Sequence, residues 1–364
     1  MTNCNLIIPT YNRPNFLQRI LDYYHKYGKD FDIIVADSSS EENKKLNKKI
    51  ILSFLDLNIQ YVDKYPEDIA VSHKFSDMVN YAKKKYCVFC ADDDFVTPNG
   101  IKQSIYFLEK NLDFTLVHGR YIDFWLKAKK RREKQFFYGI RYSNKSIFSS
   151  DPKIRLIEYL DKYSQGIMYG VYRTDFLKMI YKEFLKSKIN PFLFGELFVS
   201  TFTILYGKMK CLDVLYMARQ LDRSQSVLMN FTVLMDFTKK GKYDTDYANL
   251  NQCLADHLHK EYQLNIEESK KIIDEAMSIY IKRDYFPSLR QSLRQSLIDK
   301  MKYILNSLHT PDWIYWIYEK IRLLHKKLFL SKQMYTFYIS LNNPSSKYYH
   351  DLENIKNQVI KFYE

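Results

Sequence analysis

Glycine and proline are scarce in this sequence, nine of each in 364 residues, while 46% of residues are apolar. That balance excludes a disordered or collagen-like chain. Uncharged apolar runs of about 18 residues are missing, so no membrane-spanning helix is expected. Met1 to Leu6 carry no basic segment or cleavage site and run straight into a strand pattern, so no signal peptide is expected and the cytoplasm is the default compartment. Cysteine is too sparse for a disulfide framework, and five is an odd number, which fits reduced thiols. Cys87 and Cys90 have Cys-x-x-Cys spacing, but residues three apart on a strand point to opposite faces, so they read as core and not as a zinc or redox pair. Acid is in deficit, with 42 Asp and Glu against 56 Lys and Arg, a net charge of +14. Such a charge attracts an anionic partner: a phosphate-rich substrate, an anionic lipid surface or nucleic acid.

What is present organises around Asp92-Asp93-Asp94. The triplet directly follows the apolar run Tyr86 to Cys90, which has the length and composition of a buried strand, so the acids emerge where that strand leaves the sheet. Adjacent carboxylates repel unless something positive lies among them, and a hard divalent cation with oxygen ligands is the simplest candidate. A solvated acidic turn, or a cap for a helix at Pro98, is the alternative.

The length allows a substantial core and two domains are expected. Strand patterns cover Asn3 to Pro9, Phe31 to Ala36 and Asn58 to Val62. Between and after them, helix patterns cover Pro14 to Tyr27, Glu41 to Leu57 and Ile69 to Lys85. Repeated βα units of this length predict a mostly parallel sheet between helices, with ligands beyond the carboxyl ends of its strands. Those ends hold Pro9-Thr10-Tyr11-Asn12-Arg13, Asp37-Ser38-Ser39-Ser40 and the Asp triplet, which should meet along one edge. Together they could supply the polar edge, hydroxyl partners and cation that a nucleoside diphosphate requires. Asp37 and its serines could equally cap the next helix.

These segments, with Phe95 and Pro98, resemble the nucleotide-binding half of a family-2-type glycosyltransferase of the GT-A fold. The resemblance continues through Met168 to Leu177, Gly195-Glu196-Leu197-Phe198, Lys210 to Met217 and Ala218 to Ser224. It implies an α/β fold with a GT-A type Rossmann-like mixed sheet flanked by helices over residues 1–229. It implies that Pro9, Thr10, Tyr11, Asn12, Arg13, Asp37 and Ser38 hold the nucleotide, with Lys74, Asp92 and Arg219 as further donor-binding candidates. Asp93 and Asp94 would hold Mg²⁺ or Mn²⁺ on the diphosphate of a nucleotide-sugar, a UDP-sugar in the first instance. Glu196 would be the general base that takes the proton from an acceptor hydroxyl.

The chain departs from the family pattern in places. The first acid of the usual Asp-x-Asp falls at Ala91, Gly195-Glu196 stands where an acidic pair is common, and a His is missing after Asp222. His73-Lys74 lies one residue out of register with a diphosphate-facing Arg, and a surface Lys is the alternative reading.

The densest basic run, Trp125 to Lys134, lies near the expected acceptor entrance, where it could attract a phosphate-bearing glycan or its anionic lipid carrier; a solvated loop or hairpin is the alternative. From about Asn230 the pattern is helical, giving a C-terminal all-helical domain over residues 230–364 for membrane, acceptor or oligomer contacts. Ser288 to Leu297 repeats with period four. Trp313 to Leu330 carries an apolar stripe bordered by Lys and Arg, which suits an interfacial helix, a dimer seam or an ordinary core-facing helix.

The expected function is metal-dependent, inverting sugar transfer from a nucleotide donor to a glycan or glycolipid acceptor in surface polysaccharide synthesis, at the inner face of the plasma membrane. Nucleic acid is not an expected partner; a second copy of the chain is a candidate one. A sugar-phosphate nucleotidyltransferase is one alternative, although the first 99 residues hold only Gly28 and no glycine-rich phosphate loop. A catalytically inactive sugar-nucleotide or glycan-binding subunit is the other, against which Glu196 and an intact Asp triplet argue.

Overall fold

The computed structural model describes residues 2–128, 134–140, 145–161, 166–189, 192–221, 243–285 and 331–363. Strand β1 (Cys4–Thr10) is followed by α1 (Pro14–Tyr27), β2 (Asp32–Asp37), α2 (Glu41–Leu52), β3 (Asn58–Val62) and α3 (Val71–Met78). Then come β4 (Tyr86–Phe89), β5 (Phe95–Val96), α4 (Pro98–Lys110), the long hairpin β6 (Phe114–Ala128) and β7 (Lys134–Ile140), and α5 (Pro152–Asp161). β8 (Val171–Arg173), α6 (Thr174–Lys186), α7 (Phe192–Tyr206) and β9 (Lys208–Gln220) complete the part that the strand pattern covers. Four further helices are described: α8 (Asp244–Tyr262), α9 (Ile266–Tyr285), α10 (Lys332–Ser340) and α11 (Tyr349–Tyr363).

The nine strands form one mixed sheet in the order β3-β2-β1-β4-β8-β6-β9-β5, with β7 paired to β6. β1, β2, β3 and β4 are mutually parallel, as the βα alternation requires. β8 enters antiparallel between β4 and β6. Because side chains alternate along a strand, Leu6, Ile8, Ile33 and Val35 feed one apolar layer and Ile7, Ile34, Cys87 and Phe89 the other. Cys87 and Cys90 fall in opposite layers, both buried and free, as their spacing predicts.

Two helices are shorter than their periodicity predicts. α2 ends at Leu52 and not at Leu57: the Ser53 hydroxyl donates to the Ile50 carbonyl at 2.6 Å and the chain turns away. α3 gives way to a 3₁₀ turn at Val79–Tyr81, because the Asn5 side-chain oxygen takes the backbone N–H groups of Lys83 and Lys84, each at 2.8 Å. The arms of the hairpin contain the ends of the basic run, while its centre, 129–133, lies outside the described residues. So do Ser288 to Leu297, Trp313 to Leu330 and Asp222.

The described C-terminal helices have no core of their own. α8 and α9 pack into the layer of α3, α5, α6 and α7 through Leu250, Leu254, Ile273 and Met277. α10 and α11 pack into the layer of α1 and α4 through Phe337, Leu352, Ile355 and Val359. The second pair is clasped to the sheet by Asp213 of β9, which accepts from Arg120 Nε at 2.6 Å, Lys347 Nζ at 2.6 Å and the Tyr348 hydroxyl at 2.8 Å.

β9 reaches the site only after an irregular pairing with β6, whose register shifts around His118 to Tyr121. Gly119 sits there because a Cβ would stand 2.8 Å from the Val214 carbonyl oxygen and 2.9 Å from Tyr216 Cβ. Gly119→Ala should therefore lose about 1–3 kcal/mol of stability, read by denaturant unfolding; an unchanged midpoint would show that β6 and β9 can separate freely.

Candidate active site

The carboxyl ends of β2, β1 and β4 lie side by side, and their loops are tied into one ledge. Thr10 pairs with Asp37 across β1 and β2, and its hydroxyl donates to Asp92 Oδ2 at 2.7 Å. Asn12 adopts a left-handed backbone, φ 52°, which Asn tolerates better than most residues. Its N–H donates to the Ser39 hydroxyl at 2.8 Å, and its side-chain oxygen accepts from Ser40 N at 2.8 Å and Asn43 Nδ2 at 3.0 Å. Asn12 is thus a clasp between two loops. Pro9 is half-buried at the strand end, and the Tyr11 ring is 48% exposed beside the ledge.

Asp37 is fully buried, and its carboxylate accepts from Ser39 N at 2.8 Å, Asn47 Nδ2 at 2.7 Å and the Tyr61 hydroxyl at 2.7 Å. It shapes the turn that presents Ser38, and the helix cap itself is Ser40. Lys74 is not a surface lysine. Its ammonium is buried in the ledge, donating to the Thr10 carbonyl and the Ser38 hydroxyl, each at 2.8 Å. Burial lowers it to about 8, against the pull of Asp37 and Asp92. His73, one residue earlier, is exposed.

All three acids of the triplet are buried, and three arginines hold them. Arg13 donates to Asp92 Oδ1 at 2.5 Å and Asp93 Oδ2 at 2.8 Å. Arg219 Nε stands 3.6 Å from Asp94 Oδ2, its guanidinium 5.5 Å from the Tyr169 ring centroid. Asp94 Oδ1 also accepts from Gln220 N at 2.9 Å. The third cation, Arg19, has no exposure at all and donates to the Asp93 carbonyl oxygen at 2.8 Å. Burial raises Asp92, opposed by Arg13; burial and the Asp93 charge raise Asp94, opposed by Arg219.

Glu196 lies in α7 as its fifth residue, one turn inside the helix and not at its start. It is half-buried. Gly195 allows α7 to approach α6, since a Cβ there would meet the Phe184 ring at 3.2 Å. Arg155 anchors the far end of α7, donating to the carbonyls of Ile204 at 2.8 Å and Leu205 at 2.5 Å. Burial pushes the Tyr169 phenol up first of all, and the charges of Arg219, Asp94, Asp93 and Glu196 all act on it.

The family model for glycosyl transferase family 2 matches residues 5–173, which contain the ledge and the triplet. Over residues 5–173 the chain is thus similar to glycosyl transferase family 2, and its sheet and helices are of the GT-A type. No curated protein matches the chain. Among solved structures, Staphylococcus aureus TarS 1-349 in complex with UDP-GlcNAc superposes with a TM-score of 0.52 at 14% identity, covering 80% of this chain and 78% of that one. A longer TarS structure is covered over 44% of its length, with 72% of this chain, 15% identity and a TM-score of 0.43. The mannosyltransferase PcManGT of Pyrobaculum calidifontis, in complex with GDP-Man and Mn²⁺, is 12% identical with a TM-score of 0.42, covering 90% of this chain and 87% of that one. The TarS 1-349 likeness, over 80% of this chain, extends the fold assignment beyond the family match.

Sequence reasoning had missed Arg19, Tyr169 and Gln220. Arg19 had a signal. It stands between Phe16 and Tyr23 at helical spacing, a charge on the apolar stripe of α1 that needed a buried partner.

Asp94 costs stability while it is charged. Its folded carboxyl titrates above the unfolded value of about 3.9, so the folded state is penalised increasingly as pH rises above that value. Asp94→Asn should therefore melt higher than wild type in metal-free solution at about pH 8, by about 1–3 °C, with a smaller gap at about pH 5. A gap of opposite sign, or one that widens toward acid pH, would overturn this account.

Proposed function

We propose that the chain transfers a sugar, with inversion, from a UDP-sugar to a hydroxyl of a glycan or glycolipid acceptor in surface polysaccharide synthesis. The observation that carries the reading is the convergence of the buried Asp triplet with Arg13, Lys74 and Arg219 at the strand ends. The family match supports the donor class. TarS of the same fold holds UDP-GlcNAc, which motivates the choice of nucleotide.

In this reading the nucleoside lies over Pro9 to Arg13, against the exposed Tyr11 ring and the Ser38 hydroxyl, with Asp37 keeping the serine turn in shape. The diphosphate faces Arg13, Lys74, Arg219 and Asp92. Asp93 and Asp94 would hold Mg²⁺ or Mn²⁺. Among the described residues no three acidic, His or Cys groups converge as a complete metal cage. Two adjacent carboxylates suit an ion that takes its remaining ligands from phosphate and water. Such an ion would offset the charge that develops on the departing diphosphate.

Glu196 takes the proton of the acceptor hydroxyl as that oxygen bonds to the anomeric carbon and the bond to the diphosphate oxygen breaks. The acceptor must approach from the face opposite the leaving group, and α7 is an element separate from the donor ledge. A carboxylate held half-buried on a packed helix is oriented before the acceptor arrives.

A donor screen that follows release of free nucleoside diphosphate, with and without Mg²⁺ or Mn²⁺, tests the reaction class. Full activity in chelator, or wild-type rates in both Asp93→Asn and Asp94→Asn, would remove the metal assignment. Glu196→Gln keeps the shape and removes the base, so transfer should fall by about 10²- to 10⁴-fold, with UDP binding unchanged. A Gln variant at full rate would move the base elsewhere.

We place the acceptor at the inner face of the plasma membrane, guided by the net charge of +14 and the basic hairpin sequence. Among the described residues no helix is long and apolar enough to cross a membrane. We propose that contact with a membrane is peripheral. The protein should sediment with anionic vesicles and be released by salt, since screening acts within about 10 Å at 0.1 M; equal recovery on neutral vesicles would argue against this placement.

A further inference from the structure

Arg19 is the largest fully buried charge near the site, and the reaction above does not use it. Its guanidinium lies between three aromatic rings, with centroids at 4.7 Å for Phe16, 4.9 Å for Phe95 and 5.2 Å for Phe362. One of its terminal nitrogens donates to the Asp93 main-chain oxygen at 2.8 Å, and the other to Gln220 Oε1 at 2.6 Å. Gln220 in turn donates its own N–H to Asp94 Oδ1 at 2.9 Å. The loop is closed: one cation fixes the main chain of Asp93 and, through Gln220, the carboxylate of Asp94.

The far wall of this arrangement comes from the C-terminus. α11 supplies the Phe362 ring, the Gln358 side chain that donates to the Arg19 carbonyl at 3.2 Å, and the Tyr363 hydroxyl that accepts from Gln220 Nε2 at 3.3 Å. These contacts join residues more than 140 positions apart. A guanidinium with no solvent exposure cannot serve as a ligand for a diphosphate. Its geometry is that of a support.

We infer that Arg19 is a positioning residue that aims Asp93 and Asp94 at a divalent cation, and that α11 completes the nucleotide-binding domain by holding Arg19 in place. The inference rests on the metal reading of the triplet proposed above. A fork bonded to two fixed oxygens sets both angle and distance, which a lysine ammonium cannot do. Partners of this kind behind a metal ligand typically govern about 10- to 100-fold in metal affinity.

The test is Mn²⁺ binding in the presence of saturating UDP, followed by water-proton relaxation, on full-length wild type, Arg19→Met, Arg19→Lys and Gln220→Leu. Uridine binding by NMR titration is the control. Both Arg19 variants should weaken Mn²⁺ by about 10- to 100-fold, Gln220→Leu should shift it in the same direction, and uridine binding should be unchanged. If Arg19→Met does not fold, Gln220→Leu decides, since it removes the acceptor for Arg19 and keeps the N–H that serves Asp94. Folded variants that bind Mn²⁺ as wild type does would overturn the inference. So would a parallel loss of uridine and Mn²⁺, which would make Arg19 a fold residue only. Wild type that takes up no Mn²⁺ with UDP would instead bring down the metal reading itself, and this inference with it.

Discussion

Three adjacent carboxylates buried at the end of a strand are the constraint on which the rest of the structure turns. Burial drives Asp92 and Asp94 toward protonation, and the protein keeps the three acids together by surrounding them with guanidinium groups from three separate elements. Arg13 comes from the β1–α1 loop, Arg19 from inside α1 and Arg219 from β9. Burying such pairs rarely adds stability, because desolvation offsets most of the attraction. Their retention therefore points to the chemistry of the ledge and not to the strength of the fold.

The order of elements follows from the same requirement. β1, β2 and β4 must lie side by side and parallel for Thr10, Asp37 and Asp92 to converge, and the βα units enforce that arrangement. β9 must then return from the other side of the sheet to bring Arg219 and Gln220 over Asp94. Its irregular pairing with β6 around Gly119 lets it do so. α7 contributes Glu196 through packing and not through a turn, since Gly195 lets it press against Phe184.

Local patterns were sufficient for much of this. The apolar run before the Asp triplet, the Pro at the start of α1 and the serines after β2 each carry a local physical signal, and the elements and the ledge stand where those signals put them. What local pattern could not supply was partnership at long range. For Lys74 a surface lysine stays open beside donor binding, because nothing nearby in sequence shows that the Thr10 carbonyl and Ser38 hydroxyl will face it. Asp37 reads as a ligand or a cap, and the partners of its buried carboxylate, Asn47 and Tyr61, lie 10 and 24 positions away. The C-terminal helices read as a separate unit because periodicity defines an apolar face but not the surface that covers it. Those described pack into the apolar layers on either side of the sheet.

Exposure separates the three arginines by what a ligand can do to them. Arg19 is sealed by rings and cannot move without opening the core. Arg219 is 19% exposed and braced on Tyr169. Arg13 is 37% exposed, on a loop, and already bonded to Asp93, the most accessible of the three acids. An exposed, mobile cation is the one whose pairing costs least to exchange. An incoming cation would compete with Arg13 for Asp93, and the guanidinium so released would be left beside the phosphates, where its planar fork binds well. The buried arginine fixes the carboxylates, and the exposed one can be traded for the ligand. That division of roles explains why the ledge carries one cation inside the core and another at its rim.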